Sequence, residues 1–239
     1  MEEKTIQSIS KKVQNLSLAF QPIWEITGSG AVIKSYEILL RYADGDFFPF
    51  EIFNELTRTE EACKLLNQWY ENKITYYLSK YPEVIFNLNV DLQQMQYTST
   101  WELLKVLSQF KKRIAIEMTE FYQVSNLEHK RLFFESMFYI RKLGMPLAFD
   151  DVGNGQHSIS FVTKNIHLVD MVKISLLHLQ HLDPITVGLY VDIWVRIAKI
   201  AKVDLVIEGI ENQTTADIMT SRGIIFQQGF FWSKPIQEI

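Results

Sequence analysis

The sequence predicts an α/β fold with a mostly parallel sheet, and two observations carry that reading. Short runs rich in β-branched and apolar residues recur along the chain, and segments with helical spacing separate most of them. About eight such units in 239 residues is the size of a closed TIM-type barrel, and a doubly wound open sheet is the other arrangement the alternation allows. A hydrophobic share of 47% supplies the core that either arrangement needs.

Taken in order, residues 1–14 form a polar lead-in, and residues 15–239 read as one domain, because no Pro-, Gly- or Ser-rich stretch and no repeat of fixed period divides them. The strand candidates are SLAFQPI from Ser17, AVIKSYEILLRY from Ala31, EVIFNLNV from Glu83 and RIAIEM from Arg113. PLAFD from Pro146, VDMVKI from Val169, VDLVIE from Val203 and GIIFQQGFFW from Gly223 follow. Helical spacing occupies Glu60 to Tyr77, Trp101 to Phe110, His129 to Lys142, Ser158 to Thr163 and Pro184 to Ala201.

Composition narrows the function. The 28 acidic residues outnumber 24 basic ones for a formal charge of -4, so no surface is expected to coat polymeric nucleic acid. Cys63 stands alone, which excludes an internal disulfide and fits a reducing compartment. The first residues lack the apolar core of a signal peptide, and no later apolar run reaches membrane-spanning length. The expectation is a cytoplasmic protein without membrane insertion.

Polar residues recur where each strand candidate should leave the sheet, the end at which barrel enzymes keep their chemistry. They are Glu37, Asn89, Glu117 and Glu120, Asp150 and Asp151, Lys173, Glu208 and Glu211, and Gln228. Converging carboxylates repel one another unless cations sit among them, and oxygen-rich sets suit hard ions such as magnesium or manganese. In the adjacent pair Asp150 and Asp151, one carboxylate can bridge two ions while its neighbour binds the second, as phosphodiester cleavage commonly requires. Any one of these acids could instead cap a helix, but capping gives no reason for Asn89, Lys173 and Gln228 to share the same strand ends.

Other features carry less. His178 and His181 have helical spacing but no HExxH pattern and read as surface or packing histidines. Gly153, Asn154 and Gly155 lack the Lys and Ser or Thr of a phosphate-binding loop. Trp69, Tyr70, Tyr76 and Tyr77 read as core aromatics on a helix.

The motifs FQPIW, YEILLRY, NLNV, IEMTE, FDDVGNGQHSIS, VKIS, IEGIE and QQGFFWSKPI stand in the order shown by EAL domains, from Phe20 to Ile236. The chain thus resembles an EAL domain, with Glu37-Ile38-Leu39 as a variant of the signature. The resemblance implies a modified TIM-type barrel whose first strand, around Ala19 to Ile23, runs antiparallel to the others. It implies that Glu37, Asn89, Glu117 and Asp150 bind one Mg2+ or Mn2+ ion, with Asp150 shared and Asp151 on a second ion. Glu208 would be a further ligand or base. Lys173 would contact the attacking water or the phosphate, Glu211 and Gln228 would complete the site, Arg41 would clamp a substrate phosphate, and Glu120 would hold the loop from Asp151 to Ser158.

The implied reaction is hydrolysis of cyclic di-GMP to linear pGpG by a homodimer, with regulation left to a possible protein partner. Departures from the family pattern are Ile38 beside Glu37, Ser175 in place of an Asp, Gln156 with His157 in the loop, and a short segment after Arg41 that keeps Pro49 and Ile52. They leave open a catalytically weak or inactive EAL protein that binds cyclic di-GMP or a protein. A magnesium-dependent barrel enzyme of another type would explain the carboxylates but not the ordered motifs.

Overall fold

The computed structural model describes residues 2–118, 127–152 and 158–239, with the side chains of residues 2–6 excepted. The chain opens with helix α1 (Glu2–Gln14) and a long hairpin of β1 (Leu16–Thr27) and β2 (Gly30–Tyr42). Helices α2 (Phe50–Leu56) and α3 (Glu60–Lys80) lead to β3 (Phe86–Val90), and α4 (Thr98–Leu107) leads to β4 (Ile114–Met118). After α5 (Leu127–Lys142) come β5 (Leu147–Phe149), α6 (Ile159–Asn165) and β6 (Met171–Ser175). The chain ends with α7 (Pro184–Ala201), β7 (Asp204–Glu208), α8 (Gln213–Ser221) and β8 (Phe226–Gln227).

The strands close into a barrel in chain order, with β1 antiparallel to β2 and β8 and the remaining neighbours parallel. This is the modified TIM-type barrel expected from the motifs, and it removes the open-sheet alternative. Local chemistry sets the helix starts: the side chains of Thr59, Ser158, Asp183 and Asn212 accept backbone N–H bonds at the beginnings of α3, α6, α7 and α8. Pro184 adds a fixed φ at the first turn of α7.

Four elements go beyond the sequence expectations. Residues Glu2–Gln14 of the lead-in form α1, whose Val13 enters the core and whose Lys12 pairs with Glu55 of α2. The short helices α2 and α8 fall outside the expected helical segments, α8 burying only Ala216 and Met219 in its nine residues. The run from Gly223 supplies just two strand residues, because the chain turns away after Gln227.

Successive strand side chains point to opposite faces, and that alternation divides the barrel cleanly. Ile38, Leu88, Ile116, Phe149, Val172 and Ile207 join the core between barrel and helices. Their neighbours turn inward, where Ile23, Val206 and Phe226 form a small apolar layer with Met171 packed against it. Phe20 ties the two halves of the wall together, with its ring 4.5 Å from Tyr77 on α3 and 5.8 Å from Phe86 on β3. Among the described residues no helix is long and apolar enough to cross a membrane. Truncating the fully buried Phe20 to Ala should cost about 3–5 kcal/mol in urea denaturation, and a loss below about 1 kcal/mol would show that the β1 contact is dispensable.

Candidate metal centre

The strand ends bring four carboxylates around one ammonium. Lys173 of β6 has no solvent exposure, and its Nζ lies 2.7 Å from Glu117 Oε2 and 2.7 Å from Glu208 Oε1. Glu37 Oε2 and Asp150 Oδ1 each lie 3.3 Å from the same nitrogen. Glu37 comes from β2, Glu117 from β4, Asp150 follows β5, and Glu208 ends β7. The alternation that sends Ile38 into the outer core therefore sends Glu37 inward, so the larger residue in the signature does not crowd the site.

Amides fix the carboxylate orientations. Asn89 Nδ2 donates to Glu37 Oε1 at 2.7 Å, Gln228 Nε2 donates to Glu37 Oε2 at 2.7 Å, and Asn87 Nδ2 donates to Glu117 Oε1 at 2.7 Å. Gln228 is held in turn by its backbone, which donates to Ile207 and accepts from Ile210. Gly229 permits this close crossing, because a Cβ there would stand 2.2 Å from the carbonyl oxygen of Ile210.

Burial and charge pull the acids apart. Burial works to raise the Glu37 carboxyl, but the Lys173 ammonium and the hydrogen bonds from Gln228, Asn89 and Lys173 outweigh it and hold it below the usual glutamate value. Burial pushes Glu117 up to about 8, with repulsion from Glu37 and Asp150 adding to it against the pull of Lys173. Burial likewise raises Glu208 well above its ordinary value, opposed by Lys173 and reinforced by Asp150 and Glu37. Burial works against the Lys173 charge, yet Asp150, Glu117, Glu208 and Glu37 together raise it well above the normal lysine value.

Two sets of carboxylates lie close enough to hold an ion: Glu37, Glu117 and Asp150 form one, and Asp150, Asp151 and Glu208 form the other. Asp150 belongs to both. The donor chemistry fits hard divalent cations, because all of these groups offer oxygen. Asn89 Oδ1 and Gln228 Oε1 add two buried oxygens without a hydrogen-bond partner among the described residues, a costly state that a cation nearby would relieve.

A cavity of about 680 Å³ opens beside the cluster, lined by Glu37, Asp150, Asp151, Glu208, Glu211 and Gln228 among others. Arg41 and Ser175 also face it, with exposed Phe47 and Phe230 at its edge. Arg41 Nη1 donates to the carbonyl of Leu40 at 2.9 Å, and Glu211 is exposed on the cavity wall. Asp151 holds a positive φ of 50°, a strained conformation for a residue with a side chain. Glu120, Gln156 and His157 lie outside the described residues.

Two participants escaped the sequence reading. Asn87 sits two residues before Asn89 and so shares its inward face, a period-two signal that was available in NLNV. His178 is exposed, as the surface reading expects, and also places Nδ1 3.5 Å from Asp151 Oδ1, a contact that only the fold creates.

The family model for the EAL domain matches residues 5–235, nearly the whole chain. The chain belongs to the EAL domain family. Among relatives, cyclic di-GMP phosphodiesterase PdeL of Escherichia coli is 29% identical over 136 residues, which is 56% of this EAL chain and 36% of PdeL. Cyclic di-GMP phosphodiesterase PdeR of the same organism is 24% identical over 246 residues, covering 97% of this chain and 36% of PdeR. The chain thus spans about a third of the length of either curated relative. Among solved structures, Klebsiella pneumoniae BlrP1 in its manganese and cyclic di-GMP complex matches with a TM-score of 0.77 at 23% identity, over 95% of this chain and 57% of that one.

The raised acids give the EAL centre a pH dependence. A divalent ion held there would compete with protons for Glu117 and Glu208, whose folded-state values are raised, so its affinity would be weak below them and grow as pH rises through them. Calorimetric titration with Mn2+ should show binding that tightens from about pH 6.5 to about pH 8.5 and releases protons. A dissociation constant flat across that range would contradict the assigned protonation states.

Proposed function

We propose that this EAL chain hydrolyses cyclic di-GMP to linear pGpG with the help of two divalent ions, Mg2+ or Mn2+. The observation that carries the reading is the pair of carboxylate sets that share Asp150 beside an open cavity. The names of PdeL and PdeR and the ligands of BlrP1 support the choice of substrate.

In this reading Glu37, Asn89, Glu117 and Asp150 hold one ion, and Asp150, Asp151 and Glu208 hold the other. When bound, the ions supply positive charge that neutralises the phosphoryl oxygens and lowers the pKa of the attacking water. The chain's own residues do the rest. Arg41 faces the cavity from the end of β2, where its planar guanidinium can grip a non-bridging phosphate oxygen. Lys173 presents a permanent compact charge to the water or the phosphate, since its protonated form is favoured by four acids.

Glu208 is half-buried beside Lys173 at the cavity wall and, once ionised, takes the proton of the attacking water. The water oxygen joins phosphorus, the bond from phosphorus to one ribose oxygen breaks, and that oxygen takes a proton from solvent as it leaves. Glu211 on the cavity wall assists by polarity, and Gln228 keeps Glu37 oriented while lining the substrate space.

Purified protein incubated with cyclic di-GMP and Mg2+ or Mn2+ should release pGpG, resolved by chromatography. Glu37→Ala and Glu208→Ala should each lower the rate by about 100-fold or more. Folded, metal-loaded protein that yields no product would overturn hydrolysis, and binding of intact cyclic di-GMP in that case would assign the chain to the ligand-binding class.

A further inference from the structure

Among the clustered acids Asp151 stands at the margin. Lys173 orients Glu37, Glu117, Asp150 and Glu208, and amides from Asn89, Gln228 and Asn87 steady two of them further. The Asp151 side chain is 35% exposed, and its backbone is held at a φ of 50°. A residue with a side chain keeps that conformation only where its surroundings fix it. Two contacts to one neighbouring stretch serve that purpose. The N–H of Val152 donates to the carbonyl of Lys173 at 2.9 Å, and Asp151 Oδ1 lies 3.5 Å from His178 Nδ1.

That stretch is itself anchored on both sides. His178 belongs to a single 3-10 turn, Leu176–Leu179, which starts where β6 ends and tucks Leu179 into the core. On its other side the turn meets the strand end that carries Glu208. Gly209, at a φ of 74°, approaches so closely that a Cβ there would stand 2.9 Å from Leu177 Cγ. One turn therefore meets two members of the set Asp150, Asp151 and Glu208: the Asp151 carboxylate through His178, and the residue after Glu208 through Leu177. With its proton on Nδ1, a neutral imidazole orients a carboxylate without cancelling its charge, and the carboxylate keeps acceptor capacity for an ion. The contact is longer than an ideal hydrogen bond, so it guides Asp151 rather than locking it. We propose that His178 is a positioning residue that keeps Asp151 aligned with Asp150 and Glu208, and so sets the affinity of the second ion site. This rests on the two-ion reading of the cluster.

The test is Mn2+ titration calorimetry with elemental analysis on the full chain, for the parent protein, H178F and H178N. Phe keeps a planar ring and removes the donor, whereas Asn places an amide N–H where Nδ1 stood. Asp151→Asn marks which of the two ions belongs to this set. In H178F that ion should bind about 10- to 100-fold more weakly, the range seen when an outer partner of a metal ligand is lost. The other ion should change by less than about threefold, and H178N should return the weakened site to within about threefold of the parent. Adding H178F to Asp151→Asn should cause no further loss, because both act through one contact. The His178 side chain is 40% exposed, so each variant should fold, and thermal melts check this. Unchanged binding in H178F, equal weakening of both ions, or no rescue by H178N would each overturn the inference. A parent protein that binds fewer than two ions removes the two-ion reading and this inference together, whereas two ions in the parent with an unaffected H178F removes the inference alone.

Discussion

The structure depends on burying one lysine. Lys173 sits inside the barrel with no exposure, and the desolvation of an isolated ammonium costs several kcal/mol after relaxation. The cost is met only when carboxylates arrive at the right height from several strands at once. Glu37, Glu117, Asp150 and Glu208 do so from β2, β4, the end of β5 and β7, with all four within 3.3 Å of Nζ. Register follows from this requirement, because a slip of one residue would turn Glu37 out and Ile38 in. The same four acids outnumber their single cation, which makes the cluster attractive to further positive charge. Fold stability and the capacity to hold a cation would therefore draw on one set of atoms.

Around that cluster the chain spends neutral donors rather than more charge. Asn87, Asn89 and Gln228 each turn an amide N–H toward a carboxylate, orienting it without cancelling it. Their placement relies on features far from the ions: Gln228 is fixed through the backbone crossing of Gly229 over Ile210, and Asn87 and Asn89 through the pleat of β3. A supporting shell of this kind commonly decides whether first ligands hold a metal well. The cavity edge differs in character, with Arg41, Phe47 and Phe230 presenting a guanidinium and two aromatic side chains.

Much of this was legible in the sequence, because strands buried on both faces read as short apolar runs and because inward polar residues at their ends are conspicuous against that background. Glu37, Asn89, Glu117, Asp150, Lys173, Glu208 and Gln228 all converge as their strand-end positions implied. The antiparallel first strand came only from the motif resemblance, since nothing in SLAFQPI itself specifies direction. Asn87 stands one turn of the pleat before Asn89, inside the strand rather than at its end, where polar residues are not expected to signal a site. His178 was set aside because a histidine lacking a local metal pattern is usually structural; its approach to Asp151 depends on the turn after β6. Helix α8 spans only nine residues and buries just Ala216 and Met219, too short a run for its periodicity to stand out.

Asp150 belongs to both oxygen-donor sets and would join them into a centre for two ions. The most direct measurement is the number of Mn2+ ions bound per chain, by calorimetry with elemental analysis, for the parent protein and for Asp150→Asn. About two ions are expected for the parent and loss of both tight sites in the variant, since the shared oxygens serve each set. One ion in the parent, or two in the variant, would contradict it.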